Sequence, residues 1–130
     1  MKVVFDTNIF VSALVLPGSR ADAAVQRIVG GRDQLLFSRA ILAELLDVLA
    51  RKFSREAEEL ARVAVFLDEL GSIVETTTTV QDLVDDPDNR ILECALDGGA
   101  ECVVTGDAAM LALKTWRGIR IMSLASYLAP

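Results

Sequence analysis

The chain contains no histidine in 130 residues. That removes the Ser–His and Cys–His nucleophile systems and most zinc sites, which depend on imidazole. Cysteine is almost as scarce. Cys94 and Cys102 stand among apolar neighbours, one in a helical pattern and one in a strand pattern. They give no disulfide framework and read as small core residues in a reducing compartment. Aromatic residues are 5% of the chain, so Leu, Val, Ile and Ala must fill the core. No apolar run approaches the ~20 residues that a membrane span needs. The first residues lack the charged leader, apolar segment and small-residue cleavage site of a signal peptide. The expectation is a cytoplasmic protein without membrane contact. Basic charge is also in short supply: 13 Lys and Arg face 19 Asp and Glu, for a net charge of −6. A nucleic-acid binder usually carries a basic footprint, so the overall charge argues against one until its distribution is considered.

What remains is an apolar, well-punctuated chain. Apolar residues make up 52% and charged residues 25%, an ordinary globular balance. The length suits a single domain, residues 1–130, that buries roughly two-thirds of its unfolded surface. "KVVF" reads as a fully buried strand. "IFVSALV" is a short helical or irregular stretch stopped by Pro17 and Gly18. Ser19 can cap a helix from Ala21 towards Val29, and Gly30–Gly31 end it. "QLLF" is a second strand. Ser38 can cap "RAILAELLDVLARKF", whose apolar residues fall in a helical stripe. A helix is expected from about Arg55 to Leu70. "SIVETT" is a strand candidate that fades into threonines. In "DDPDNRILECALDGG", Asp86 can cap, Pro87 suits the first helical position and Gly98–Gly99 close the helix. "ECVVTGD" is a strand, "AAMLALK" is helical, "IRIM" is a strand and Ser123 can cap "SLASYLA". Alternating strands and helices imply parallel pairing. Continuously apolar strands suit a sheet covered on both faces. The expected fold is therefore an α/β/α three-layer sandwich with four or five strands.

In such a sheet, ligands bind beyond the carboxyl ends of the strands, where the first turns of the crossover helices also lie. Asp6 ends the first strand. Asp107 follows the "ECVVT" strand by one glycine. Asp85, Asp86 and Asp88 surround a helix start. Three separate segments thus deliver acids to one edge. Glu44 borders the apolar stripe of its helix, ~9 Å along the axis from Ser38, and is long enough to reach back to the rim. Each acid also has a plain structural use. Asp107 and Asp86 can cap helices, Asp88 can complement a helix dipole and Glu44 can be a solvated rim residue. Asp47 and Arg51 are spaced for a surface ion pair. Asp6 is hardest to explain that way, because an acid between "VVF" and "IFV" faces a desolvation cost. Clustered carboxylates repel unless a cation or a pKa shift relieves them. With oxygen ligands only, the fitting cations are hard ones, Mg²⁺ or Mn²⁺. Acids around such ions are suited to phosphodiester hydrolysis.

"VVFDTNIFVSAL", the helical "ILAELLDVL", "DPDNRILECAL" and "CVVTGDAAML", in this order and spacing, resemble the PIN-domain family. The likeness is greatest to its toxin components of toxin–antitoxin pairs, the VapC-like ribonucleases. The resemblance implies an endoribonuclease that uses Mg²⁺ or Mn²⁺, with RNA as substrate, an antitoxin protein as partner and a homodimer as a compatible assembly. It places the catalytic and metal-binding quartet at Asp6, Glu44, Asp88 and Asp107. Asp88 is chosen over Asp85 and Asp86 because it starts the family's acid–x–x–Ile–x–x–x–Ala pattern, through Ile91 and Ala95. Asn8 and Thr105 fall where residues orient the acids or the attacking water. Glu93 departs from the small residue common at its position. It is read here as a solvated helix residue rather than an extra pocket acid. Arg51, Lys52, Arg55 and Arg62 form a basic cluster, read as a solvated face with a phosphate track as the alternative. Two other functions compete. A metal-dependent phosphatase would want a second aspartate near "DTN" or a glycine-rich phosphate loop, and neither occurs. A non-catalytic PIN-like interaction module would not need the intact quartet.

Overall fold

Val3, Val4 and Phe5 are all fully buried. Successive strand residues point to opposite faces of a sheet, so the strand holding these three must be covered on both. In the computed structural model, which describes residues 1–130, that strand, β1 (Lys2–Phe5), lies in the middle of the sheet. β2 (Gln34–Ser38), β3 (Ser72–Val74), β4 (Cys102–Val104), β5 (Thr115–Trp116) and β6 (Ile119–Met122) complete it in the order β3-β2-β1-β4-β6-β5. The pairing is parallel from β3 through β6, with Val3 opposite both Leu35 and Cys102. The helices are α1 (Thr7–Val15), α2 (Arg20–Val29), α3 (Arg39–Phe53), α4 (Ala57–Leu70), α5 (Asp86–Gly98), α6 (Ala108–Leu111) and α7 (Leu124–Leu128). α3 and α5 pack on the sheet, α1 packs on α2 and α3, and α4 packs on α3.

The fold class is as expected, but the sheet has six strands rather than four or five. The extra strand follows directly on "AAMLALK", where no strand is expected. α6 stops at Leu111, and Lys114 takes a left-handed conformation with φ 59°. Thr115–Trp116 then runs antiparallel to β6. Arg117 and Gly118 make the turn with φ 47° and 82°. Two positive φ angles match the twist of a tight hairpin. A two-residue strand closed by Arg–Gly leaves almost no periodic signal.

The serine caps act as expected. Ser19, Ser38 and Ser123 accept hydrogen bonds from Asp22 N, Ile41 N and Ser126 N, at 3.1–3.2 Å. α5 differs by one residue. Its N-cap is Asp85, Asp86 is already helical, and no side chain makes the capping bond. At the other end, Gly99 takes φ 68°. A Cβ on Gly98 would lie 2.8 Å from Val74 and 2.9 Å from Leu36, so glycine lets α5 rest directly on β2 and β3.

The threonine-rich stretch between β3 and α5 is held by α5 itself. Asn89, Glu93 and Asp97 recur every fourth residue and so share one helix face. Asp97 accepts from Thr77 N, Thr78 N and Thr78 Oγ1 at 2.6–2.9 Å. Glu93 accepts from Val80 N at 2.9 Å. Asn89 accepts from Leu83 N at 2.9 Å and donates to Leu83 O at 2.8 Å. These bonds satisfy backbone groups that a chain without secondary structure would otherwise leave orphaned. They also correct the reading of Glu93. It is buried, with its carboxylate on Val80 N and 3.0 Å from Arg90 Nε, and is neither a solvated residue nor a pocket acid.

Candidate metal centre

Asp6 is both the end of β1 and the N-cap of α1. Its backbone N–H donates to Val104 O at 2.9 Å, which continues the β1–β4 ladder. Its Oδ1 accepts from Asn8 N at 3.2 Å, which starts the helix. The stretch after Asp6 is thus regular helix from Thr7 onward. The carboxylate is 4% exposed. Its other oxygen accepts from Thr105 Oγ1 at 2.6 Å. The same hydroxyl oxygen accepts from Asp107 N at 3.0 Å, so Thr105 joins the ends of β1 and β4. Burial pushes the Asp6 carboxyl above its ordinary range. The hydrogen bonds from Thr105 and Asn8 oppose this, while the charges of Asp107 and Asp85 add to it.

Asp88 comes in from the first turn of α5 and is 7% exposed. Burial, together with the charges of Asp107, Asp6 and Asp85, raises its carboxyl to about 7. Asp107 Oδ2 accepts from Met110 N at 2.9 Å, capping α6. The structure therefore brings Asp6, Asp88 and Asp107 to one sheet edge. Glu44 lies on the wall of the same cleft. This cleft, of about 200 Å³, is lined by Asp6, Asn8, Glu44, Lys52, Asp85 and Asp88, among others. Of the three adjacent acids, Asp88 is buried in the cluster and Asp85 is an exposed rim residue. Asp86 faces a neighbouring groove and accepts from Asn89 Nδ2 at 3.4 Å. Asp47 pairs with Arg51 at 2.7 Å, as its spacing suggests.

The donor set suits a hard divalent ion. Every candidate ligand atom is oxygen. Asp88 stays buried within reach of the charges of Asp107, Asp6 and Asp85, a repulsion that a cation would relieve. No three acid side chains form a ready-made cage. Mg²⁺ does not need one, because it is usually held by one or two carboxylates and keeps several waters.

Two further residues take their place at the site only in the folded chain. Lys52 was grouped with the surface arginines but lines the acidic cleft. Arg51, Arg55 and Arg62 are instead neutralised by Asp47, Glu59 and Glu58. The signal for Lys52 was available. Glu44, Val48 and Lys52 are spaced four apart on α3 and face one way. Asn89, which fixes the turn leading to Asp85, had no such signal, because its partner is a backbone amide six residues earlier.

Residues 2–109 match the family model of the PIN domain. An uncharacterized protein of Methanocaldococcus jannaschii, MJ1680, is 25% identical over 118 residues, covering 88% of this chain and 76% of that protein. Among solved structures, VapBC2 from Rickettsia felis, bound to a DNA fragment from its promoter, matches with a TM-score of 0.68 at 16% identity, over 95% of this chain and 98% of that one. VapBC-1 from nontypeable Haemophilus influenzae matches with a TM-score of 0.65 at 16% identity, over 96% and 99%. No helix is long and apolar enough to cross a membrane.

Proposed function

The chain belongs to the PIN domain family, and from that premise we propose that it is a divalent-metal-dependent endoribonuclease, the toxin of a toxin–antitoxin pair acting in the cytoplasm. The observation that carries the reading is the buried aspartate cluster at the strand edge, where burial first and then the neighbouring charges raise Asp88 to about 7. Structural caps or surface acids would not be gathered and desolvated in this way. Asp6, Asp88 and Asp107 would hold Mg²⁺ or Mn²⁺, with Glu44 facing them across the cleft. When bound, such an ion supplies charge neutralisation at the scissile phosphate and lowers the pKa of the attacking water. The chain's own residues set the rest. Thr105 fixes the orientation of Asp6 by donating to Oδ2, and Asn8 fixes the other oxygen through its backbone N–H. The neighbouring groove of about 440 Å³ shares Thr7, Glu44 and Pro87 with the cleft, which leaves room for a single strand to pass. An antitoxin partner is supported by the fold likeness to chains of two VapBC complexes.

The test is cleavage of labelled single-stranded RNA with Mg²⁺ or Mn²⁺. Activity should vanish with chelator and fall at least ~100-fold in Asp6→Asn, since a lost ligand removes water activation and charge neutralisation together. Asp47→Asn should leave activity nearly unchanged. Equal losses at Asp6 and Asp47 would refute the assignment. Metal binding without cleavage of any strand would instead make the chain a PIN-like interaction module.

A further inference from the structure

The acidic cleft is lined by 10 residues, and Lys52 is the single cation among them. Three neighbouring arginines instead have acid partners one turn away on the surface. Arg51 is 2.7 Å from Asp47, Arg55 is 2.9 Å from Glu59 and Arg62 is 3.8 Å from Glu58. On α3, Glu44, Val48 and Lys52 follow one another along the cleft wall, each one turn further on. At the helical rise, the Lys52 Cα lies ~12 Å along the axis from that of Glu44. The wall therefore runs from the Glu44 carboxylate, over an apolar step at Val48, to the Lys52 ammonium near the helix C-terminus. Lys52 thus stands about two turns of α3 beyond Glu44 on the same wall.

We propose that Lys52 is a phosphate-binding residue that holds the RNA strand at a phosphate beyond the scissile one, and so sets both a minimum strand length and the direction in which the strand leaves the centre. This rests on the ribonuclease reading and adds a polarity to it. Lysine acts here as a point charge on a flexible stem, so the contact is indifferent to base sequence. It also answers the charge objection. A chain of net charge −6 can still grip a strand if one uncompensated cation lies on the path and the acids are covered by metal.

The experiment measures binding apart from cleavage. On the protein with its aspartates intact, fluorescence anisotropy follows a labelled, cleavage-resistant 2′-O-methyl single-stranded hexanucleotide in Mn²⁺ at several salt concentrations, with an unlabelled dinucleotide as competitor; unmodified RNA in Mn²⁺ reports cleavage. Lys52→Ala should weaken hexanucleotide binding roughly 5-fold for unrelated sequences and reduce the slope of log affinity against log salt by about 0.7, the value for one phosphate contact on a single strand. Lys52→Arg should restore both. If the scissile phosphate is held at the aspartates and Lys52 holds the next along the strand, the dinucleotide, with one phosphodiester, should compete equally against the protein with and without Lys52. An unchanged slope overturns the proposal. So does a proportional loss for the dinucleotide, which would mean that Lys52 merely offsets nearby acids, and so does failure of the hexanucleotide to bind. Outcomes for the two readings separate. Lys52-dependent binding with intact strands in the wild-type protein refutes hydrolysis and leaves the contact. Cleavage with a Lys52-independent slope does the reverse.

Discussion

Removing the charge of Asp88 should stabilise the metal-free protein, and the gain should depend on pH in a defined way. In the folded chain this carboxyl is raised from 3.8 to about 7. The sign follows from linkage. The unfolded chain gives up the proton first as pH rises, so the folded state is progressively penalised. The penalty is absent below about pH 4, grows between there and about pH 7, and is constant above. At 1.36 kcal/mol per pH unit, its ceiling is about 4 kcal/mol. Relaxation and water entry at the cleft lower this, so the expected gain for Asp88→Asn at pH 8 is about 1–3 kcal/mol. Asparagine keeps the shape and cannot ionise. The assay is urea unfolding of both proteins in chelator from pH 4 to 8.5. The difference curve should start near zero and reach its plateau near pH 7. Added Mn²⁺ should then stabilise the wild type more than the variant, because the gain scales with affinity for the folded state. An equal gain at pH 4 and pH 8 would mean that the substitution acts through packing. No gain at either pH would refute the view that Asp88 is held against its neighbours' charge.

Two further outcomes bear on parts of the molecule around the cluster. Thr105→Val removes the 2.6 Å bond to Asp6. It should raise the Asp6 carboxyl further, shift the pH needed for Mn²⁺ binding upward and cost at least ~10-fold in Mn²⁺ affinity by calorimetry, with Thr105→Ser restoring it. Glu93→Ala leaves Val80 N and Arg90 without their carboxylate; it should cost about 2–4 kcal/mol of stability and expose the 76–84 segment to limited proteolysis. Unchanged cleavage kinetics there would show that α5 does not hold that segment.

The layer architecture and the edge at which chemistry could occur follow from local patterns in the chain. Uninterrupted runs such as Val3–Phe5 and Cys102–Val104 must be buried on both faces, which requires a covered parallel sheet. Serines and glycines mark helix ends through local hydrogen bonds and backbone angles. Such signals act over a few residues and can be read without knowing the fold. Convergence could be argued for Asp6, Asp88 and Asp107 because each ends a strand or begins a helix at a common edge. Tertiary structure alone decided the rest. Asp88 rather than Asp85 or Asp86 is buried because the rotation of α5 about its axis is set by packing on β1, β2 and β4. Glu93 became a clamp because a loop from β3 passes over it. β5 exists because Lys114, Arg117 and Gly118 reverse the chain beside β6. Lys52 became a cleft residue, and Arg51 a surface ion-pair partner, although they are adjacent in the chain. On a helix adjacent side chains point about 100° apart, and which of them meets the cleft depends on what the helix packs against.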